Sequence, residues 1–168
     1  VQTLPTPVSK DLSMEMLKQV DLVVVTGSQN NVRAAYTCGT PAFGVGAGNV
    51  TSLIDETADL PSAAAKIKAS KTFDNATSCS SENSLVIVDA IYNDMLAALE
   101  AVNACLLTPE ETASLQSVLW HKGHLNAAML AKPVGVMCDL AGITRKAACD
   151  ADFLLVEETG AGADFPFS

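Results

Sequence analysis

Val20–Val25 (VDLVVV) is a short, Val-rich apolar run, and together with the residues just after it this run restricts the fold more than any other feature of the chain. Thr26-Gly27-Ser28 forms a turn, Gln29–Tyr36 is compatible with a helix, Gly39-Thr40-Pro41 stops that helix, and Ala42–Val45 reads as a second buried strand. Strand, turn, helix, strand is the repeating unit of a parallel α/β sheet. The turn places a glycine and hydroxyls at the carboxyl end of a strand, the edge at which open α/β sheets bind ligands. Gly44–Asn49 (GVGAGN) comes next. Its glycines allow close approach of a ligand or a neighbouring strand, or they make a tight loop leaving the sheet.

The rest of the chain continues the α/β pattern. Asp59–Lys71 has an Asp and a Pro at its start and an Ala-rich body, which predicts a helix. Phe73–Ser81 (FDNATSCSS) is a run of small polar residues around one thiol, and Ser84–Val88 is a strand. The spacing of Ile91, Met95, Leu99, Val102 and Leu106 predicts one long helix over Ile91–Leu107. Pro109 opens another helix to Leu119, Pro133–Cys138 reads as a strand, Asp139–Gly142 as a helical turn, and Phe153–Val156 as a last strand.

Composition sets the outer limits. Of 168 residues, 49% are apolar and 17% charged, a globular balance. The net charge of −9 repels phosphate backbones and anionic lipid, so neither nucleic acid nor a membrane surface is an expected partner. No apolar run has bilayer length, and the first residues, VQTLPTPVSK, carry no signal-peptide core. Five cysteines, an odd number and widely spaced, suggest reduced thiols in a cytoplasmic protein rather than disulfides or zinc ligands. The chain begins without Met and stops just after a Gly-rich turn, so a piece of a longer polypeptide is expected. Such a piece exposes apolar surface and associates with itself or with its missing parts, so a homo-oligomer is expected.

Three groups are candidates for chemistry. Cys79 sits among Ser78, Ser80 and Ser81, where hydroxyls and N–H groups can stabilise a thiolate. It can equally be a small buried residue. Cys38, Cys105, Cys138 and Cys149 lie in apolar or helical contexts and read as structural. His121 and His124, in HKGH, read as a surface loop, because Gly123 breaks a helix and no third metal ligand is evident. No metal is expected. Glu157-Glu158, before a Gly-rich turn, read as a solvated strand end; a ribose or a cation is the other use for such carboxylates.

In order and spacing, VVVTGS (Val23–Ser28), GVGAGN (Gly44–Asn49), ETADLPSAA (Glu56–Ala64), SKTFDN (Ser70–Asn75) and CSSEN (Cys79–Asn83) resemble the aldehyde dehydrogenase superfamily. KGHLNAAMLAKP (Lys122–Pro133), DLAGI (Asp139–Ile143) and EETGAGADFPFS (Glu157–Ser168) resemble its CoA-acylating branch in particular. That branch includes the aldehyde half of bifunctional aldehyde-alcohol dehydrogenases. The resemblance implies an α/β, aldehyde dehydrogenase-like fold. Residues 1–47 are then the C-terminal part of an NAD(P)-binding, Rossmann-like domain, and residues 48–168 a partial catalytic domain. It implies oxidation of a short aldehyde with NAD or NADP and coenzyme A, giving acyl-CoA through a thioester on Cys79. It implies that Thr26, Gly27, Ser28, Val45 and Gly46 border the cofactor. In hydrolytic members a glutamate activates water; aligned here, its position falls on Val45, which favours the CoA thiol over water and speaks against the hydrolytic alternative. Much of the family's cofactor domain and its oxyanion-hole asparagine have no counterpart in the chain. The isolated stretch is therefore expected to be inactive, a folded module that binds a nucleotide or a partner chain.

Overall fold

A computed structural model describes residues 3–46, 48–121, 123–162 and 164–168. Val1, Gln2, Ala47, Lys122 and Ala163 lie outside the described residues, and with them the expected end of the first domain at 47 and one position each of GVGAGN, HKGH and EETGAGADFPFS. The chain divides into two compact units, Val1–Gly48 and Asn49–Ser168.

The first unit holds helix α1 (Lys10–Lys18), strand β1 (Val23–Thr26), helix α2 (Gln29–Thr37) and strand β2 (Ala42–Val45). β1 and β2 pair in parallel, with Val23 opposite Ala42 and Thr26 opposite Val45. The strand begins three residues later than the apolar run, since Val20 and Leu22 stay exposed outside the ladder. Buried Val32 and Ala35 turn one face of α2 inward. Gly44 makes that approach possible, because a Cβ there would lie 2.7 Å from Val32 Cγ1 and 2.8 Å from the Tyr36 ring. The Tyr36 hydroxyl then accepts the Gly44 N–H at 3.0 Å.

The second unit carries strand β3 (Val50–Ile54), helix α3 (Leu60–Thr72), strand β4 (Glu82–Ile87), helix α4 (Tyr92–Ala101), strand β5 (Ala104–Leu106) and helix α5 (Pro109–Leu119). A short hairpin of β6 (Trp120–His121) and β7 (His124–Leu125), helices α6 (Val134–Ala141) and α7 (Lys146–Cys149), and strand β8 (Phe153–Leu155) complete it. β3 pairs with β4 and β5 with β8, both in parallel. α3 starts where expected: Asp59 caps it by accepting the Ser62 N–H at 3.0 Å, and Pro61 lies in the first turn. One core joins both strand pairs to α3 and α4, through Ile54, Ala64, Ile67, Met95, Leu99, Ala104 and Phe153. A second core, with Leu107, Leu115, Met129, Cys138 and Ile143, lies among α5, α6 and α7.

Two expected elements are corrected. The long helix over Ile91–Leu107 ends at Ala101; Asn103 takes a left-handed φ of 70°, and Ala104–Leu106 crosses over into the strand beside β8. The expected strand Pro133–Cys138 is instead the body of α6. Pro133 precedes its first turn, Gly142 closes it at φ 68°, and the Ile143 N–H reaches back to the Cys138 carbonyl at 3.0 Å. No helix of the described residues is long and apolar enough to cross a membrane.

Candidate functional site

The backbone between α3 and β4 is bent by sequence-specific means. Asp74, Asn75 and Ala76 all take left-handed φ values of 49°, 51° and 61°; Asp and Asn tolerate this better than most residues. Ser78 then opens a tight turn: its carbonyl accepts the N–H of Ser81 at 3.2 Å and the Ser81 hydroxyl at 2.9 Å. Ser81 is buried and anchors the turn, leaving Cys79 and Ser80 at its tip. The Ser78 and Ser80 hydroxyls lie 2.8 Å apart.

Cys79 is exposed, so the reading of it as a small buried residue fails. Cys105 and Cys138 are buried, and Cys38 and Cys149 are partly covered. Burial, followed by contact with Cys149, pushes the Cys138 thiol up to about 12, so Cys138 stays protonated at neutral pH. Among the described residues no hydrogen bond occupies the Cys79 N–H or its Sγ. A carbonyl carbon arriving at the sulfur would find a free N–H beside it for its oxygen.

Behind this turn lies a polar cluster that the residue pattern did not reveal. Asn83 is an extra residue in β4, opposite no partner between the pairs Val50–Glu82 and Thr51–Ser84, and this bulge aims it at α3. It accepts a 2.8 Å hydrogen bond from Lys71 Nζ. Burial lowers the Lys71 ammonium, and Glu82 opposes that shift. Glu82 keeps a buried Oε2 with no partner among the described residues. A bulge has no signature in a single sequence.

In the first unit the expected cofactor residues come together at one sheet edge. Gly27 adopts φ 121°, a conformation suited to glycine, and its N–H bonds the Val45 carbonyl at 3.1 Å. That bond brings the Thr26–Ser28 turn beside Val45 and Gly46, at the carboxyl ends of both strands. Ser28 caps α2 by accepting the Asn31 N–H at 3.3 Å, which leaves its hydroxyl proton free to donate. Val45 is 63% exposed. A strand end, a glycine turn and a helix N-terminus side by side fit a nucleotide.

The other candidates separate from these. His121 and His124 face each other across the β6–β7 hairpin rather than lying in an open loop, and both are exposed. Among the described residues no group of three or more His, Cys, Asp or Glu side chains could hold a metal. Glu157 is not merely solvated: it accepts a 2.6 Å hydrogen bond from the Tyr92 hydroxyl. That bond, with burial and the Glu157 charge adding to it, raises the Tyr92 phenol to about 12.

No family model matches the chain. It is 59% identical over all 168 residues to an acylating sulfoacetaldehyde dehydrogenase of Cupriavidus necator, covering 100% of this chain and 34% of that protein. An acetylating aldehyde dehydrogenase from Geobacillus thermoglucosidasius superposes with a TM-score of 0.87 at 35% identity, over 95% of this chain and 35% of the other. A Rhodopseudomonas palustris propionaldehyde dehydrogenase, solved with bound CoA and an acylated cysteine, gives a TM-score of 0.78 at 26% identity, over 95% of this chain and 36% of the other. The chain thus spans about a third of the length of these curated relatives.

Proposed function

We propose, for a chain homologous to a segment of the acylating aldehyde dehydrogenases, that the full-length protein converts a short aldehyde to its CoA thioester with Cys79 as nucleophile. The observation that carries this reading is the exposure of Cys79 at the tip of the serine turn, with no hydrogen bond to its sulfur or N–H among the described residues. The Cys79 thiolate adds to the aldehyde carbon, and the aldehyde oxygen becomes an alkoxide beside the Cys79 N–H. Loss of hydride from that carbon leaves an acyl group on the sulfur. The CoA thiol then adds to the thioester carbon, the Cys79–carbon bond breaks, and the thiol is regenerated with acyl-CoA as product.

A nicotinamide nucleotide, when bound, accepts the hydride. Thr26, Gly27, Ser28, Val45 and Gly46 are the residues of this chain that would border it, as NAD or NADP. The aliphatic Val45 side chain offers no base to activate water, which leaves the thioester to the CoA thiol. Sulfoacetaldehyde is the favoured substrate, because the 59% identical relative carries that name. The isolated 168-residue stretch, a third of its relatives in length, is expected not to turn over.

The test is Cys79→Ala in the full-length protein. Aldehyde oxidation dependent on CoA should vanish while nucleotide binding stays intact. Turnover in that variant would remove Cys79 from the mechanism.

A further inference from the structure

Residues 73–81 leave the end of α3 and return as β4, with Cys79 at the tip of their last turn. The stretch is folded on itself. The Thr77 N–H and hydroxyl both donate to the Asp74 carbonyl, and the Ser81 N–H and hydroxyl both donate to the Ser78 carbonyl. Among the described residues no side-chain hydrogen bond runs from this stretch to the rest of the chain. Phe73 at its start is 69% exposed, and Ser81 at its far end is the one buried residue of the nine. The direction of the loop relative to the sheet is therefore set at its two ends, the last turn of α3 and the first residues of β4.

One side-chain contact ties those ends together. Lys71 Nζ, in the last turn of α3, donates to Asn83 Oδ1 at 2.8 Å across 12 positions of the chain. A lysine has donors only, so this contact fixes which way the Asn83 amide faces. The bulge in β4 brings Asn83 to α3. Burial lowers the Lys71 ammonium, and the charge of Glu82 opposes that shift. Glu82 in turn keeps a buried Oε2 with no partner among the described residues. Withdrawing a cation and a carboxylate oxygen from water at the base of one loop is costly. A helix end that served only solubility would need neither.

The loop that this contact closes is strained. Asp74, Asn75 and Ala76 are all left-handed, and none is glycine. Such backbone persists only where its surroundings hold it. With the ends held at the Lys71–Asn83 bond, the left-handed run leads the chain into the Ser78–Ser81 turn. With the ends released, the run relaxes towards ordinary backbone regions, and Cys79, three residues further on, turns with it.

We infer that Lys71 is a positioning residue for Cys79: its hydrogen bond to Asn83 closes the base of the 73–81 loop and so sets the direction in which the thiol is presented. This rests on the role proposed above for Cys79. Lys71 makes no hydrogen bond to Cys79 and acts through the backbone between them. Direction matters because a thiolate adds to a carbonyl carbon only from a near-attack geometry, and a misplacement of about 1 Å can cost about 100-fold in rate.

The test is Lys71→Met in the full-length protein, which keeps an unbranched stem and removes the charge and the donor. The kcat for CoA-dependent aldehyde oxidation should fall about 10- to 100-fold, with KM for aldehyde and CoA and the Kd for nucleotide nearly unchanged. Amide exchange at Thr77 and Ser81 should quicken by about tenfold or more. Cys79 should still be the first cysteine alkylated, because the thiol stays exposed. Lys71→Arg, which restores a cationic donor, should recover most of the loss. Asn83→Ala removes the acceptor without leaving the Glu82 charge uncompensated, so it should lower kcat in the same way even if Lys71→Met folds poorly. A kcat within about threefold of the parent in both variants, at temperatures where they are folded, would overturn the inference and leave Lys71 a merely structural residue. A loss shared between kcat and KM and not recovered by Lys71→Arg would also overturn it. Turnover in Cys79→Ala falls on the proposed reaction instead, since that variant keeps the Lys71–Asn83 bond. Unchanged exchange at Thr77 and Ser81 in Lys71→Met would overturn the clamp whatever the fate of Cys79.

Discussion

Replacing Glu111 by Ala should cost the second unit about 2 kcal/mol, and the structure shows from where. Glu111 performs two tasks with one carboxylate. It closes the capping box of α5: the Thr108 side chain accepts the Glu111 N–H at 3.3 Å, and Glu111 Oε2 accepts the Thr108 N–H at 3.0 Å. It also accepts a bidentate pair from Arg145, at 2.8 Å and 2.6 Å, which ties α5 to the start of α7. Half of a capping box contributes about 1 kcal/mol. The Arg145 side chain is 38% exposed, so solvent screening limits its pair to about 1 kcal/mol despite the good geometry. At this chain length the sum lowers Tm by about 4–8 °C. Trp120, the single tryptophan, packs edge-on against Phe167 at 5.1 Å between ring centres, so its fluorescence reports the unfolding of this unit. Glu111→Gln keeps an acceptor for Thr108 and should recover about half of the loss. The hydrogen bond from Arg145 holds the Glu111 carboxyl below its ordinary value of 4.5. A lowered carboxylate stabilises the fold above its unfolded pKa, so this contribution is complete at neutral pH and fades as pH falls below about 4.5. A Glu111→Ala loss under about 0.5 kcal/mol, or a loss unchanged between pH 7 and pH 3, would refute the reasoning.

In a time course with a water-soluble alkylating agent at neutral pH, Cys79 should label first and Cys138 last; equal rates, read by peptide mass spectrometry, would count against the exposed turn. Leu99→Ala should destabilise the second unit by about 2–5 kcal/mol, since Leu99 is fully buried between both strand pairs, and denaturant melts followed at Trp120 measure it. Gly44→Ala should loosen α2 from β2, because its Cβ has no room beside Val32; an unchanged melt of the first unit would contradict that. Val45→Glu in the full-length protein should raise the slow, CoA-independent release of free acid, and an unchanged rate would take Val45 out of the partition between water and CoA.

The sequence made some of this legible and hid the rest for physical reasons. β1, α2 and β2 were readable because turn chemistry punctuates them: Gly27 at φ 121° and the break before Ala42 both have residue signatures. α3 and α5 announced themselves through Asp59, Pro61 and Pro109. The apolar run of α6 misled because five apolar or small residues in a row fit a buried strand as well as a helix, and only the Cys138 to Ile143 contact decides between them. The helical spacing that continued past Ala101 was coincidental: Leu106 belongs to a strand, and Asn103 marks the break by a left-handed φ that asparagine favours but does not dictate. Cys79 was visible as a residue, but its exposure was not. The Asn83 bulge, the Lys71 contact behind it and the Tyr92–Glu157 bond depend on register and on partners 12 and 65 residues away, which no local pattern encodes.

The central claim is the proposed acyl group on Cys79, and intact-protein and peptide mass spectrometry of the full-length protein tests it most directly. Full-length protein mixed with NAD+ or NADP+ and sulfoacetaldehyde, without CoA, should form about one equivalent of reduced nucleotide and gain one acyl group, mapped to the peptide holding Cys79. Added CoA should remove that mass quickly and yield the matching acyl-CoA. Steady turnover to free acid without CoA, or an adduct on any of the other four cysteines, would contradict the account.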